Sequence, residues 1–131
     1  MLFRSAKMPD YQVNADGAVR EWCWGDLAYN YEHRHCSHLY PLYFGIAPDV
    51  RGNPELLRAF RRAVELRMAE RLKQGGGVMA FGMIQLGQAA TSLGDAETAY
   101  TILRWLQSRY YYGNLASSDR KSTRLNSSHR L

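Results

Sequence analysis

Residues 30–40 concentrate side chains that can do chemistry. They place three histidines and one arginine within six positions, and a Glu-Trp pair lies twelve residues before the first of these histidines. Imidazole, guanidinium and carboxylate groups can transfer protons, bind metal ions or hydrogen-bond the hydroxyls of a ligand. The candidate site residues are Glu21, Trp22, His33, Arg34, His35 and His38.

A metal site is one interpretation of this segment. His33, His35, His38 and Cys36 carry the nitrogen and sulfur ligands that zinc takes. Their His-x-His-x-x-His spacing is not a familiar structural zinc pattern, and Cys23 and Cys36 form no Cys-x-x-Cys pair. Nothing in the sequence marks Cys36 as an activated thiol. We therefore predict neither a metal ion nor a cofactor.

Two other interpretations remain open. In the first, the histidines of a long loop hydrogen-bond buried backbone groups, because every buried polar group needs a partner. In the second, the segment lines a carbohydrate pocket, since sugar hydroxyls need several donors and acceptors and the apolar side of the ring needs an aromatic surface. The first is the default for any single histidine. It accounts less well for three histidines beside an arginine.

The segments that flank these residues must position them. Residues 11–14 and 18–22 alternate polar and apolar side chains around Ala15-Asp16-Gly17, which predicts a short β-hairpin near the N-terminus. Residues 23–52 show no helical or strand period. Long loops in compact domains are usually functional. The candidate residues are therefore predicted to lie on or beside a long loop.

An amphipathic helix is predicted to follow over residues 54–73. Asn53 is a good N-cap, Pro54 suits the first helical position, and three glycines at 75–77 end the helix near Lys73. The predicted inward face consists of Leu57, Phe60, Val64 and Met68. The arginines are interpreted as a solvated face with apolar stems; they are Arg58, Arg61, Arg62, Arg67 and Arg71.

Residues 78–93 carry no charged side chain, which is typical of a helix buried on all sides. Met79, Phe81 and Met83 are interpreted as core residues within it. Gly94 and Asp95 are predicted to end this helix and cap the next one.

Residues 96–109 predict an outer, half-exposed helix. Its predicted inward side chains are Ala99, Tyr100, Leu103 and Leu106. An inner helix followed by an outer one indicates a mainly α fold. Such pairs build either a double-ring helical toroid or a helical solenoid.

Composition excludes several classes of protein. The 131 residues are 46% hydrophobic and 22% charged, values typical of one globular domain or part of one. No apolar run reaches the ~18 residues that cross a bilayer, so no membrane partner is predicted. The N-terminus is too short and too charged for a signal peptide. Two cysteines fit either side of a bacterial membrane, so localisation is left open.

The last thirteen residues differ from the rest of the chain. They hold four basic residues and one acidic residue, a net charge of +3 out of +5, which leaves +2 for residues 1–118. A body so close to neutral predicts no nucleic-acid partner. Residues 119–129 also resemble the translation of a common sequencing adapter. We therefore predict a partial domain over residues 1–118 and an adapter-derived, disordered tail over 119–131.

Four segments occur in a familiar order: residues 17–22, 33–42, 54–67 and 93–100. Together they resemble the catalytic domain of glycoside hydrolase family 95, and the resemblance covers nearly all of residues 9–117. The His-Arg-His-x-Ser-His-Leu element is its most specific part. The resemblance implies a fragment of a six-hairpin (α/α)6 toroid from an α-L-fucosidase, or a related α-L-galactosidase, that hydrolyses with inversion.

The resemblance also implies where the catalytic groups lie. Inverting hydrolysis needs one carboxylic acid and one carboxylate base. From the residues alone Glu21 is the candidate acid, but the family's acid and water-holding asparagines belong upstream of this chain, and its base belongs to a segment after residue 118. The fragment is therefore predicted to be inactive.

What remains is a substrate-binding wall. His33, Arg34, His35 and His38 are its predicted sugar contacts, lined or supported by Glu21 and Trp22. His33 and His35 are favoured over His38, because alternate residues of an extended segment share a face.

Where the best-known members of the family have Gly-Trp-Ser at the start of the inner helix, this chain has Val78-Met79-Ala80-Phe81-Gly82, which indicates a divergent member. The alternative to a glycosidase with a carbohydrate partner is a non-catalytic helical-repeat interaction module.

Overall fold

A computed structural model describes residues 9–75 and 79–110. Within these ranges the chain is mainly helical, which confirms the predicted fold class. A 3-10 helix at Ser37–Leu42 precedes four α-helices. These are α1 (Pro48–Arg51), α2 (Pro54–Lys73), α3 (Ala80–Ser92) and α4 (Ala96–Arg109). No helix in this part of the chain is long and apolar enough to cross a membrane.

The predicted β-hairpin is reduced to a tight turn. Val13 and Val19 form one antiparallel bridge, and Gly17 takes the positive φ of 85° that the turn requires. The Val19 amide donates to the carbonyl of Ala59 in α2 over 3.1 Å. Among the described residues no strand extends beyond a single bridge position. The turn is therefore anchored on α2 and does not continue into a ribbon.

The prediction of a long loop over residues 23–52 is partly wrong, because this segment contains the 3-10 helix and α1. Each is only one or two turns long, so neither leaves a periodic pattern in the sequence. Leu39 and Leu42 of the 3-10 helix and Val50 of α1 are fully buried. The segment is therefore part of the core.

α2 begins and ends where the sequence predicts. The Asn53 side chain accepts hydrogen bonds from the amides of Glu55 and Leu56, at 3.0 and 3.2 Å. The buried apolar side chains of this helix are Ala59, Phe60, Ala63, Val64 and Met68. This stripe packs against α3 and the N-terminal turn.

α3 is buried on one side only within the described residues, whereas the sequence predicts burial on all sides once the neighbouring helices are present. It packs against α2, α4 and the 3-10 helix. Met79 and Met83 are buried as predicted, but Phe81 is 53% exposed and Ile84 is also exposed. The physical reason is that no described segment covers the opposite side of α3.

The predicted end of α3 at Gly94 and the predicted cap of α4 at Asp95 are confirmed, and the predicted inward face of α4 is partly wrong. Gly94 has a φ of 74°, and the Asp95 carboxylate accepts from the Thr98 amide at 3.1 Å. Tyr100 and Leu103 are 59% and 53% exposed, whereas Ile102 is buried against α3. The sequence pattern identified an apolar face, but only part of that face has a partner here.

The predicted tail, residues 119–131, lies outside the described residues. Its adapter origin, like the domain boundary at residue 118, stays a prediction.

Candidate functional site

His33 and His35 lie side by side on the segment before the 3-10 helix. Their ring centroids are 5.4 Å apart and the ring planes are inclined by 47°. The His33 Nδ1 atom accepts a hydrogen bond from the His35 backbone amide at 3.3 Å. His33 is exposed and His35 is half-buried. The structure therefore brings together the two histidines that the alternation of residues favours.

Arg34 and Phe81 complete an exposed surface around this pair. The Arg34 Nε donates to His35 Nε2 at 3.3 Å. The Phe81 ring meets the His35 ring edge-on, with centroids 5.9 Å apart. We call His33, Arg34, His35 and Phe81 the histidine patch. Phe81 was interpreted as a core residue, and its exposed position beside His35 corrects that interpretation.

Arg67 lies beneath the histidine patch and is fully buried, with 0% of its surface exposed. Its Nη1 donates to the backbone carbonyls of His33 and His35, at 2.8 and 2.7 Å. Its Nη2 donates to the Glu21 carboxylate at 2.9 Å. One guanidinium thus links helix α2, the segment before the 3-10 helix and the segment after the N-terminal turn.

Arg71 holds the same segment one turn further along α2. Its Nη2 donates to the His33 carbonyl at 2.6 Å, and its Nη1 donates to the Glu32 carbonyl at 3.1 Å. The interpretation of Arg67 and Arg71 as a solvated face is therefore wrong, since both guanidinium groups replace water at loop carbonyls. The other three arginines, Arg58, Arg61 and Arg62, are exposed as predicted.

α3 holds the patch from the opposite side. Gly82 lies against the Arg34 backbone, where a Cβ would overlap the carbonyl oxygen. The Gln85 side chain is buried and accepts a hydrogen bond from the Cys36 amide at 2.8 Å. The backbone of residues 32–36 is therefore clamped between α2 and α3, which fixes it although it has no regular secondary structure.

Glu21 takes a supporting position. Its side chain is 10% exposed and pairs with Arg67, and that pairing directs the carboxylate to the underside of the patch. Trp22 is 47% exposed, and its indole has no ring contact with the patch in the described part of the chain. The structure thus places Glu21 behind the histidines.

His38 lies in a different environment from His33 and His35. Both of its ring nitrogens are buried and lack a hydrogen-bond partner within residues 9–75 and 79–110. Burial, and secondarily the positive charge of Arg67, lowers the pKa of His38 to about 3. The imidazole is therefore neutral at physiological pH. Its predicted role as a sugar contact stays a prediction.

The alternatives of metal binding and thiol catalysis gain no support. Cys36 is buried, and burial raises the pKa of its thiol, so the protonated and unreactive form is favoured. In the described ranges no group of three or more His, Cys, Asp or Glu side chains is arranged to hold a metal ion.

Comparison with known proteins identifies the family. The family model described as the Glycosyl hydrolase family 95 catalytic domain matches residues 3–128. The chain belongs to glycosyl hydrolase family 95. It is 36% identical over 77 residues to alpha-L-fucosidase 2 of Arabidopsis thaliana, a match that covers 59% of the chain. The matched region spans 9% of the length of that relative. No solved structure matches the chain.

Membership of glycosyl hydrolase family 95 confirms the resemblance carried by the sequence motifs. The His-Arg-His element forms the histidine patch, and the family-like segment at residues 54–67 ends in the buried Arg67. Sequence reasoning missed the roles of Arg67 and Arg71. Their spacing from Phe60 and Val64 was the available signal, because positions 60, 64, 67 and 71 lie along one stripe of a helix.

An apolar groove lies between α3 and α4, on the inner helix that the sequence predicts to lack most of its neighbours in this fragment. It encloses about 570 Å³ and is lined by apolar side chains that include Ile84, Tyr100, Leu103 and Leu106. It lies apart from the histidine patch on the same helix, since neither His33 nor His35 lines it. The groove accounts for the exposed face of α4.

Proposed function

We propose that this chain is part of an inverting glycosidase that acts on α-L-fucosides, and that the histidine patch forms a wall of its sugar site. The observation that carries the proposal is the clustering of His33, Arg34 and His35 on one exposed surface. The family, and the name of the Arabidopsis relative, supply the substrate class.

The patch has the groups that a deoxy sugar needs. Imidazole nitrogens can hydrogen-bond the hydroxyls of a sugar ring. Arg34 uses Nε for His35, and its two Nη groups have no partner among the described residues, so they are available as donors. Phe81 presents an exposed aromatic surface to the apolar side of a sugar. Hydroxyls and apolar surface are thus matched on one wall.

Residues 1–118 are proposed to contribute this wall and not the catalytic pair. An inverting mechanism needs two carboxyl groups about 6.5–9.5 Å apart, with room for a water molecule. Glu21, the acid suggested by the residues alone, is tied to Arg67 beneath the patch. A carboxylate in that position stabilises the wall and does not reach across the sugar.

The substrate proposal is tested on the full-length protein that contains this chain. A panel of α-L-fucosides and α-L-galactosides is assayed for hydrolysis, and the first-formed anomer is identified by proton NMR. We expect hydrolysis of an α-L-fucoside with release of the β-anomer. Absence of hydrolysis across the panel contradicts the glycosidase and favours the interaction module, while release of the α-anomer contradicts inversion.

The proposal that the catalytic pair lies outside residues 1–118 is tested on residues 1–118 alone. They are assayed with the best substrate of the full-length protein. We expect no hydrolysis by the fragment at any pH. Turnover by the fragment would place a catalytic pair inside residues 1–118 and contradict this part of the proposal.

A further inference from the structure

We infer that Arg67 is a positioning residue for the sugar site: it fixes the two peptide units that aim the His33 and His35 imidazoles. The inference rests on the proposed function, because it names the group that shapes that same wall. Arg67 itself is fully buried, so it is not a catalytic residue and does not touch the substrate.

The hydrogen-bond geometry singles out Arg67. A single Nη1 atom bridges the carbonyls of His33 and His35, at 2.8 and 2.7 Å. The two carbonyls belong to alternate residues, so holding both on the inner side fixes the orientation of the intervening peptides. The His35 amide donates to the His33 ring, and within the described residues no helix or strand ladder orients this segment. Arg67 therefore supplies hydrogen bonds that fix the backbone of this segment, which in a helix or strand would come from other backbone groups.

Glu21 orients the guanidinium from the other end. A buried guanidinium without a countercharge is costly, and a carboxylate at 2.9 Å both neutralises it and fixes its plane. Nη2 is committed to Glu21 and Nη1 to the two carbonyls. The guanidinium is thus held by the Glu21 carboxylate on one side and holds the two backbone carbonyls on the other. Its position therefore helps to set the orientation of the His33 and His35 rings.

Arginine and lysine should differ sharply at this position. A guanidinium is a rigid planar fork that can serve three acceptors in fixed directions, whereas an ammonium is a compact point charge on a flexible stem. Arg67→Lys keeps the positive charge beside Glu21 but cannot bridge all three acceptors. This substitution separates the effect of geometry from the effect of charge.

The test compares Arg67→Lys with Arg58→Lys in the full-length protein. Arg58 lies on the same helix with a side chain that is 71% exposed. Steady-state kinetics on an aryl α-L-fucoside give kcat and KM separately, hydrogen exchange reports on the peptide that spans residues 32–38, and thermal unfolding reports on stability.

We expect Arg67→Lys to raise KM by about tenfold or more, because the His33 and His35 rings are no longer held in the orientation that binds the sugar; tenfold corresponds to about 1.4 kcal/mol of binding free energy. Amides of residues 32–38 should exchange faster, and Arg58→Lys should change neither quantity. If Arg67→Lys does not fold, Glu21→Gln loosens the same guanidinium from its other end and should raise KM in the same direction.

A lower melting temperature with unchanged KM would make Arg67 merely structural and overturn the inference. Unchanged exchange of residues 32–38 would overturn it as well. If the wild-type protein hydrolyses no fucoside, the proposed function fails. The exchange measurement then still decides whether Arg67 fixes the segment.

Discussion

Gly82 in the first turn of α3 lies against the backbone carbonyl of Arg34, with no room for a Cβ between them. The close approach lets α3 support the histidine patch directly with its backbone. On the other side the guanidinium of Arg67 supports the same segment. The orientation of the patch is therefore set by two helices and not by the segment that carries it.

Gly82→Ala should destabilise the protein, although Ala is the better helix former by about 1 kcal/mol. The new methyl group meets backbone, which cannot move without shifting the patch or α3, at a cost of about 1–3 kcal/mol. Gly87→Ala is the control, because among the described residues its Cβ meets a side chain, that of Ile102 at 3.1 Å, and no backbone atom. Thermal unfolding decides: a Gly82→Ala chain that melts at or above the wild-type temperature contradicts the close approach.

Glu21→Gln should lower the free energy of unfolding by about 1–3 kcal/mol, because a buried arginine loses its countercharge. Glu65→Gln is the matched control. Its carboxylate pairs with Arg62 at 3.1 Å but is 51% exposed, so a change below about 0.5 kcal/mol is expected. Urea unfolding at low protein concentration measures both variants. Equal effects for the two would show that the Glu21–Arg67 pair is not buried.

His38 should make stability depend on pH. Its pKa is about 3 in the folded chain and about 6.5 when unfolded, so the unfolded state binds the extra proton between these values. The stability contributed by the neutral imidazole is complete above pH 6.5 and is lost as the pH falls toward 3, by up to about 1.4 kcal/mol per pH unit.

The measurement for His38 is urea unfolding at pH 7, 6 and 5. His38→Leu should remove this component of the pH dependence, whereas His33→Gln should keep it because His33 is exposed. Parallel pH profiles for wild type and His38→Leu would mean that His38 titrates normally in the folded chain.

The α3–α4 groove should make the 131-residue chain self-associate, since large exposed apolar patches drive association. Leu103→Lys places a charge in the groove and should reduce light scattering at a given protein concentration. Gln107→Lys adds the same charge at an exposed position of α4 outside the groove and should not. A wild-type chain that stays monomeric as its concentration rises would contradict this prediction.

The helix boundaries were predictable because capping residues next to each end mark them in the sequence. Asn53 caps α2, Asp95 caps α4, and Gly94 takes a left-handed conformation between α3 and α4. These signals depend on residues within one turn of each boundary. They therefore need no knowledge of tertiary contacts, and the observed bounds of α2 and α4 agree with the prediction.

The support of the site was not predictable in the same way. The acceptors of Arg67 lie 32 to 46 residues away in sequence, and two of the three are backbone carbonyls that no residue type reveals. Residue type indicated a solvated arginine, and only the helical register with Phe60 and Val64 indicated burial. Long-range hydrogen bonds to irregular backbone leave little trace in a single sequence.

The exposed faces of Phe81 and Leu103 were mispredicted for a different reason. An apolar residue on a helix face predicts burial against some partner, but it does not say whether that partner is present. The chain spans about 9% of the length of the Arabidopsis relative it matches. Periodicity thus identified the face correctly, and the structure shows which part of it is covered by the described residues.

The most direct test of the central claim is the kinetics of His35→Ala in the full-length protein. We expect a fall in kcat/KM for an α-L-fucoside of about tenfold or more, because a hydrogen bond between the imidazole and the sugar is lost. A His35→Ala enzyme with wild-type kcat/KM would show that the histidine patch is not a wall of the sugar site.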